Sequence, residues 1–120
     1  MKIALTCSEN NLSSPVDPRF GRAKGFFICD SESGESAYYP NVQNVGAVQG
    51  AGIQTAQNII NAGADAVVSG HCGPKAFKLL SAAGVKIFSA ADCTVSEAVE
   101  KIKAGSLPEM SAADVEGHWV

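Results

Sequence analysis

The chain has 120 residues, of which 46% are hydrophobic and 18% charged, with a formal net charge of −3. A single compact domain of that size buries a sufficient core without disulfides or a structural metal. The mild acidity provides no broad basic surface and no apolar run is long enough to span a bilayer, so neither nucleic acid nor membrane is an expected partner.

Lys2-Ile3-Ala4-Leu5-Thr6-Cys7 alternates like a strand from the start of the chain. It is too short and too alternating for a secretory signal, and the expected compartment is the cytoplasm. A polar loop with two prolines follows from Ser8 to Arg22, ending Arg19-Phe20-Gly21-Arg22. Gly25 to Asp30, with Phe26, Phe27 and Ile28 in succession, is the second strand. Gly34 marks a turn, and Ser36 to Pro40 completes a hairpin as the third strand. Asn41 to Gly52 is a polar, Gly-rich connection. Ile53, Ala56, Gln57, Ile60 and Ala64 recur at helical spacing, which predicts a first helix from Ala51 to Ala62 that stops at Gly63.

Ala66-Val67-Val68 is the fourth strand, Lys75 to Ala83 the second helix and Val85 to Phe88 the fifth strand. Thr94 or Ser96 caps a third helix with Val95, Ala98, Val99 and Ile102 on its apolar face, ended by Gly105. Residues 1–107 are expected to form one domain. Residues 108–120, with His118 and Trp119, are read as a loosely docked or mobile tail. Right-handed crossovers after the hairpin give an α/β fold: a five-stranded mixed sheet in the order 3-2-1-4-5, strand two antiparallel, with helices on both faces.

Ser69-Gly70-His71-Cys72-Gly73-Pro74 holds an imidazole and a thiol where a strand hands over to a helix. Ligands collect at that edge of an α/β sheet, and helix N-termini favour anions and thiolates. The same edge receives Cys7, Cys93, Arg19, Arg22 and Lys24, while Cys29 falls at the far end of its strand and is read as structural. No cysteine pair has CxxC spacing, and reduced thiols are expected. Soft thiolate and imidazole groups suit iron–sulfur, copper(I) or zinc centres, so His71, Cys72, Cys7 and Cys93 are candidate metal ligands. Arg19 and Arg22 would balance an anionic, sulfide-rich cluster, and Gly46, Gly50, Gly52, Gly70 and Gly73 would let backbone amides approach it. The Gly-rich connection is then a natural gate. The plainer alternative for each thiol is a small buried hydrophobe, and for the arginines a solvated surface. A thiol enzyme, with Cys72 activated by His71, is the competing function. A nucleotide-binding domain is a third, lacking both a Walker loop and a GxGxxG after the first strand.

Pro15-Val16-Asp17-Pro18-Arg19-Phe20-Gly21-Arg22 resembles the Pro-x-x-x-x-Phe-Gly-Arg signature of the dinitrogenase iron–molybdenum cofactor biosynthesis family. Gly50-Ala51-Gly52, Gly73-Pro74-Lys75-Ala76-Phe77 with Ala82-Ala83-Gly84-Val85-Lys86, and Thr94-Val95-Ser96-Glu97-Ala98-Val99 are similar to its later motifs. The resemblance runs from Met1 to about Leu107. It implies a three-layer, ribonuclease-H-like α/β/α domain and a carrier rather than an enzyme. Its single-domain members include nitrogenase cofactor carriers and the orange proteins of sulfate-reducing bacteria. The implied cargo is a metal–sulfur cluster, Mo/Fe/S or Mo/Cu/S, bound at Arg19, Phe20, Gly21, Arg22, Gly50, Gly52, Gly73 and Pro74. It would be held either by protein ligands or without a protein–metal bond. Cluster donor or acceptor proteins are the implied partners, and a monomer or weak dimer is expected.

Overall fold

The computed structural model describes residues 1–43, 50–90 and 92–110. Its strands are β1 (Lys2–Cys7), β2 (Gly25–Asp30), β3 (Ser36–Pro40), β4 (Ala66–Ser69) and β5 (Lys86–Ser89). They form one sheet in the order β3-β2-β1-β4-β5, as the sequence predicts. β2 is antiparallel to β1 and β3, whereas β4 is parallel to β1 and β5 to β4. β1 lies at the centre and is buried on both faces. Its side chains alternate: Ile3, Leu5 and Cys7 join one core cluster, with Ala66 and Val68, and Ala4 joins the other, with Val67.

Helix α3 (Val95–Lys103) covers the first face through Val95, Ala98 and Ile102. Helices α1 (Ala51–Asn61) and α2 (Pro74–Ala82) pack together over the second, through Ala56, Ile59, Ala76 and Leu80. The result is three layers. Each helix ends where a glycine takes a left-handed conformation (Gly63, Gly84 and Gly105), which releases the chain toward the next element. Pro74 begins α2, where its missing N–H falls at a position without a helical partner.

Two segments read as loop and tail carry structure of their own. The polar stretch after β1 contains a 3₁₀ turn at Phe20–Arg22, and Phe20, 1% exposed, plugs the second core. The chain beyond residue 107 begins as a backbone pairing with the outer edge of β5. Ser89 N–H donates to the Pro108 carbonyl at 3.1 Å, and Met110 N–H donates to the Ile87 carbonyl at 2.7 Å. Expectations for residues 111–120, including His118 and Trp119, lie outside the described residues, as do those for Gly46 and most of the supposed gate. No described helix is long and apolar enough to cross a membrane.

Candidate functional site

The carboxyl ends of β1, β3, β4 and β5 share one rim of the sheet, and the chain from Ser8 to Lys24 crosses it. Backbone hydrogen bonds fix its path: Val16 N–H to the Cys93 carbonyl (2.9 Å), Asp17 N–H to Thr6 (2.8 Å) and Phe20 N–H to His71 (3.1 Å). Below the crossing, the buried Thr6 hydroxyl donates to Ser69 Oγ at 2.9 Å, and both hydroxyls approach the Asp17 carbonyl. Gly70 is obligatory here, since a Cβ would lie 2.5 Å from Pro18 Cα. Asp17 Oδ1 then accepts the Arg19 N–H at 2.9 Å, turning the chain so that Arg19 runs parallel beside His71. This pairing places one exposed arginine against the loop that leads into α2.

The second arginine is placed by packing. Gly21 sits on the first turn of α1, where an added Cβ would come within 2.9 Å of Gly52 N and 3.0 Å of its Cα. Arg22, the last residue of the 3₁₀ turn, is therefore held beside the N-terminus of α1. Asn41 locks this arrangement. Its buried side-chain amide donates to the Ala23 carbonyl and to Thr55 Oγ1, both at 2.8 Å, and accepts from Asn58 at 2.8 Å. Thr55 in turn donates to the Ala51 carbonyl at 2.9 Å.

The three helix N-termini at this rim are not alike. α3 is closed by its own side chains: Thr94 Oγ1 accepts from Glu97 N–H (3.2 Å), and Glu97 Oε1 accepts from Thr94 N–H (2.9 Å). α1 and α2 are capped by Gly50 and Gly73, with no side-chain cap and no acidic residue in the first turn. First-turn amides lack partners within their own helix, and the helix dipole concentrates about half a positive charge there. Neither Arg19 nor Arg22 forms an ion pair among the described residues. This side of the rim therefore carries positive charge with no acidic partner among the described residues.

The candidate ligands do not all gather there. His71 is exposed, as are Arg19, Arg22, Gly50 and Pro74, whereas Phe20, Gly21, Gly52 and Gly73 are buried beneath them. Cys72 is fully buried in the second-face core with Phe20 and Ala76, its Sγ 3.7 Å from the Gly73 carbonyl oxygen. Cys7 and Cys93 lie in the first-face core, on the opposite side of the sheet from Cys72. Strand alternation is the reason, because Cys7 shares a face with Ile3 and Leu5. Burial raises the Cys7 thiol to about 11 and pushes up Cys93 and Cys29 as well, which leaves them protonated at neutral pH. Among the described residues, no three His, Cys, Asp or Glu side chains are grouped so as to hold a metal ion. As candidate metal ligands Cys7, Cys93, Cys72 and His71 therefore do not form one centre, although their chain positions share one rim. A buried Cys72 also weighs against the thiol-enzyme reading, because a nucleophile must be reached.

Sequence reasoning missed Asn41, Thr55, Asn58, Thr6 and Ser69. Two polar residues three apart, Thr55 and Asn58, on a helix whose other inward positions are apolar were the available signal.

The family described as dinitrogenase iron–molybdenum cofactor matches residues 1–105, spanning every strand and helix above. The chain belongs to this family. The orange protein of Desulfovibrio gigas, solved in its apo form, is similar in fold with a TM-score of 0.89 and 36% identity, over 95% of this chain and 96% of that one. A Thermotoga protein described as NifB-like superposes with a TM-score of 0.82 at 32% identity, over 97% and 98% of the two chains. An uncharacterised protein of Methanocaldococcus jannaschii is 31% identical over 109 residues, 89% of each chain. Membership of the dinitrogenase iron–molybdenum cofactor family associates the chain with a nitrogenase-type cofactor.

Proposed function

We propose that this protein binds and carries an anionic metal–sulfur cluster, Mo/Fe/S or Mo/Cu/S in composition, as a cofactor carrier or store rather than an enzyme. The observation that carries the reading is the pair of glycine-capped helix N-termini, each beside an exposed arginine and free of acidic first-turn residues. Charge-assisted hydrogen bonds from guanidinium and amide N–H groups suit the sulfide and oxo faces of such a cargo. His71 is the nitrogen donor at the surface of this cradle, and Phe20, Gly21, Gly52, Gly73 and Pro74 shape its floor and wall. Cys72 lies under the floor, and Cys7 and Cys93 contribute as packed thiols. Holding the cargo mainly by charge and amide contacts suits a protein that must pass it from a donor to an acceptor. None of the four cysteines is in a disulfide, in keeping with a reducing compartment such as the cytoplasm.

The test is anaerobic reconstitution with molybdate plus copper or iron, and sulfide, followed by elemental analysis. About one cluster per chain with visible charge-transfer bands supports the reading. Colourless protein without stoichiometric metal refutes it.

A further inference from the structure

The two edges of the sheet are treated differently. Pro108–Met110 pairs along β5, whereas no described segment pairs along the outer side of β3. The direction of that open edge follows from its inner partners. Asp30 N–H donates to the Glu35 carbonyl at 2.8 Å, and Asn41 N–H donates to the Lys24 carbonyl at 2.9 Å. Alternation then turns the backbone groups of Ser36, Tyr38 and Pro40 outward. Pro40 has no N–H to offer, so the missing donor falls on the open side, and the ladder to β2 stays intact. The strand Ser36-Ala37-Tyr38-Tyr39-Pro40 contains no charged residue to discourage pairing. Beside it, Tyr39 (41% exposed) and Val42 (68% exposed) border an apolar groove of about 280 Å³ against α1.

We infer that this edge pairs antiparallel with β3 of a second copy of the chain, about a two-fold axis at Tyr38. Three features select a second copy in this register. Tyr38 is an outward-facing position, so the two symmetry-related residues can exchange both of their hydrogen bonds. Tyr39 then stands opposite Ala37 of the other copy and Pro40 opposite Ser36, so only the central Tyr38 meets a residue of its own size. The ends are also complementary: the acidic turn with Glu32 and Glu35 at one end of β3 is brought toward Lys24 at the other, whereas parallel pairing would set Glu35 against Glu35. An interface of this length belongs to the weak, concentration-dependent class. Because Pro40 is at the rim end of β3, the two rims of the pair face away from each other and both remain open.

The experiment is amide hydrogen exchange by NMR between micromolar and millimolar protein, with sedimentation equilibrium alongside. The Tyr38 amide, which has no partner in β2, is expected to exchange at least tenfold more slowly at the high concentration. The mass is expected to rise from 12.3 kDa toward twice that value. Ser36→Pro removes only an outward N–H at the start of the strand and is expected to weaken pairing about tenfold. Equal Tyr38 exchange at both concentrations, or a folded Ser36→Pro protein that associates as the wild type does, overturns the proposal. If Ser36→Pro does not fold, Tyr38 exchange in the wild type decides alone. Cargo binding is measured separately and is expected to stay at about one cluster per chain whichever way pairing falls.

Discussion

Cys7 illustrates how a single position decides between chemistry and packing. It ends β1 at the rim crossed by Ser8 to Lys24, yet it joins Ile3, Leu5 and Cys93 in the core, and its thiol is raised from 9.0 to about 11, chiefly by burial. The folded chain therefore holds this proton more tightly than the unfolded chain does. The resulting stability is fully present below about pH 9 and is lost as pH rises through 11. Urea unfolding across that window should show a decline to which this thiol contributes on the order of 2 kcal/mol. Cys7→Ala should show a shallower decline, and identical slopes in the two proteins would contradict the burial argument. The placement of Arg19, Arg22 and His71 at one edge was legible because their spacing around the strand ends put them there. The fate of the thiols was not, since an edge has two faces and only strand parity and side-chain packing separate them.

At the scale of elements, the strands and helices followed from alternation, helical spacing and punctuating glycines, with boundaries displaced by about one residue. The 3₁₀ turn at Phe20–Arg22 and the place along β5 where Pro108–Met110 docks could not be read, because both depend on hydrogen bonds to chain far away in sequence. The helix caps carry the more useful contrast. Closure of α3 by Thr94 and Glu97 is structural, and Thr94→Ala should cost about 1 kcal/mol. Hydrogen bonding with Thr94 holds the Glu97 carboxyl below the ordinary carboxylate range, so this cap weakens as pH falls through that lowered value. A thermal melt at neutral pH should shift down by a few degrees in Thr94→Ala while cargo binding is retained. An unchanged melt, or loss of cargo without destabilisation, would mean that α3 has been assigned the wrong role.

In the whole molecule, the sheet order does the decisive work. It brings the ends of β1, β3, β4 and β5 to one rim, orients the N-termini of α1 and α2 on the same face, and leaves Ser8 to Lys24 to bind them together across the top. The topology could be read from element order and crossover handedness. The buried lock formed by Asn41, Thr55 and Asn58 could not, because it joins residues that only the folded chain makes neighbours.

The most direct measurement compares metal retention in the wild-type protein with that in an Arg19→Ala/Arg22→Ala double variant and in Cys7→Ala, all reconstituted anaerobically with molybdenum, copper or iron, and sulfide. A cargo held by charge at the glycine-capped side of the rim predicts at least tenfold weaker retention in the folded double variant and near-normal retention in Cys7→Ala. Full retention without the two arginines, or its loss with Cys7 alone, would contradict the account.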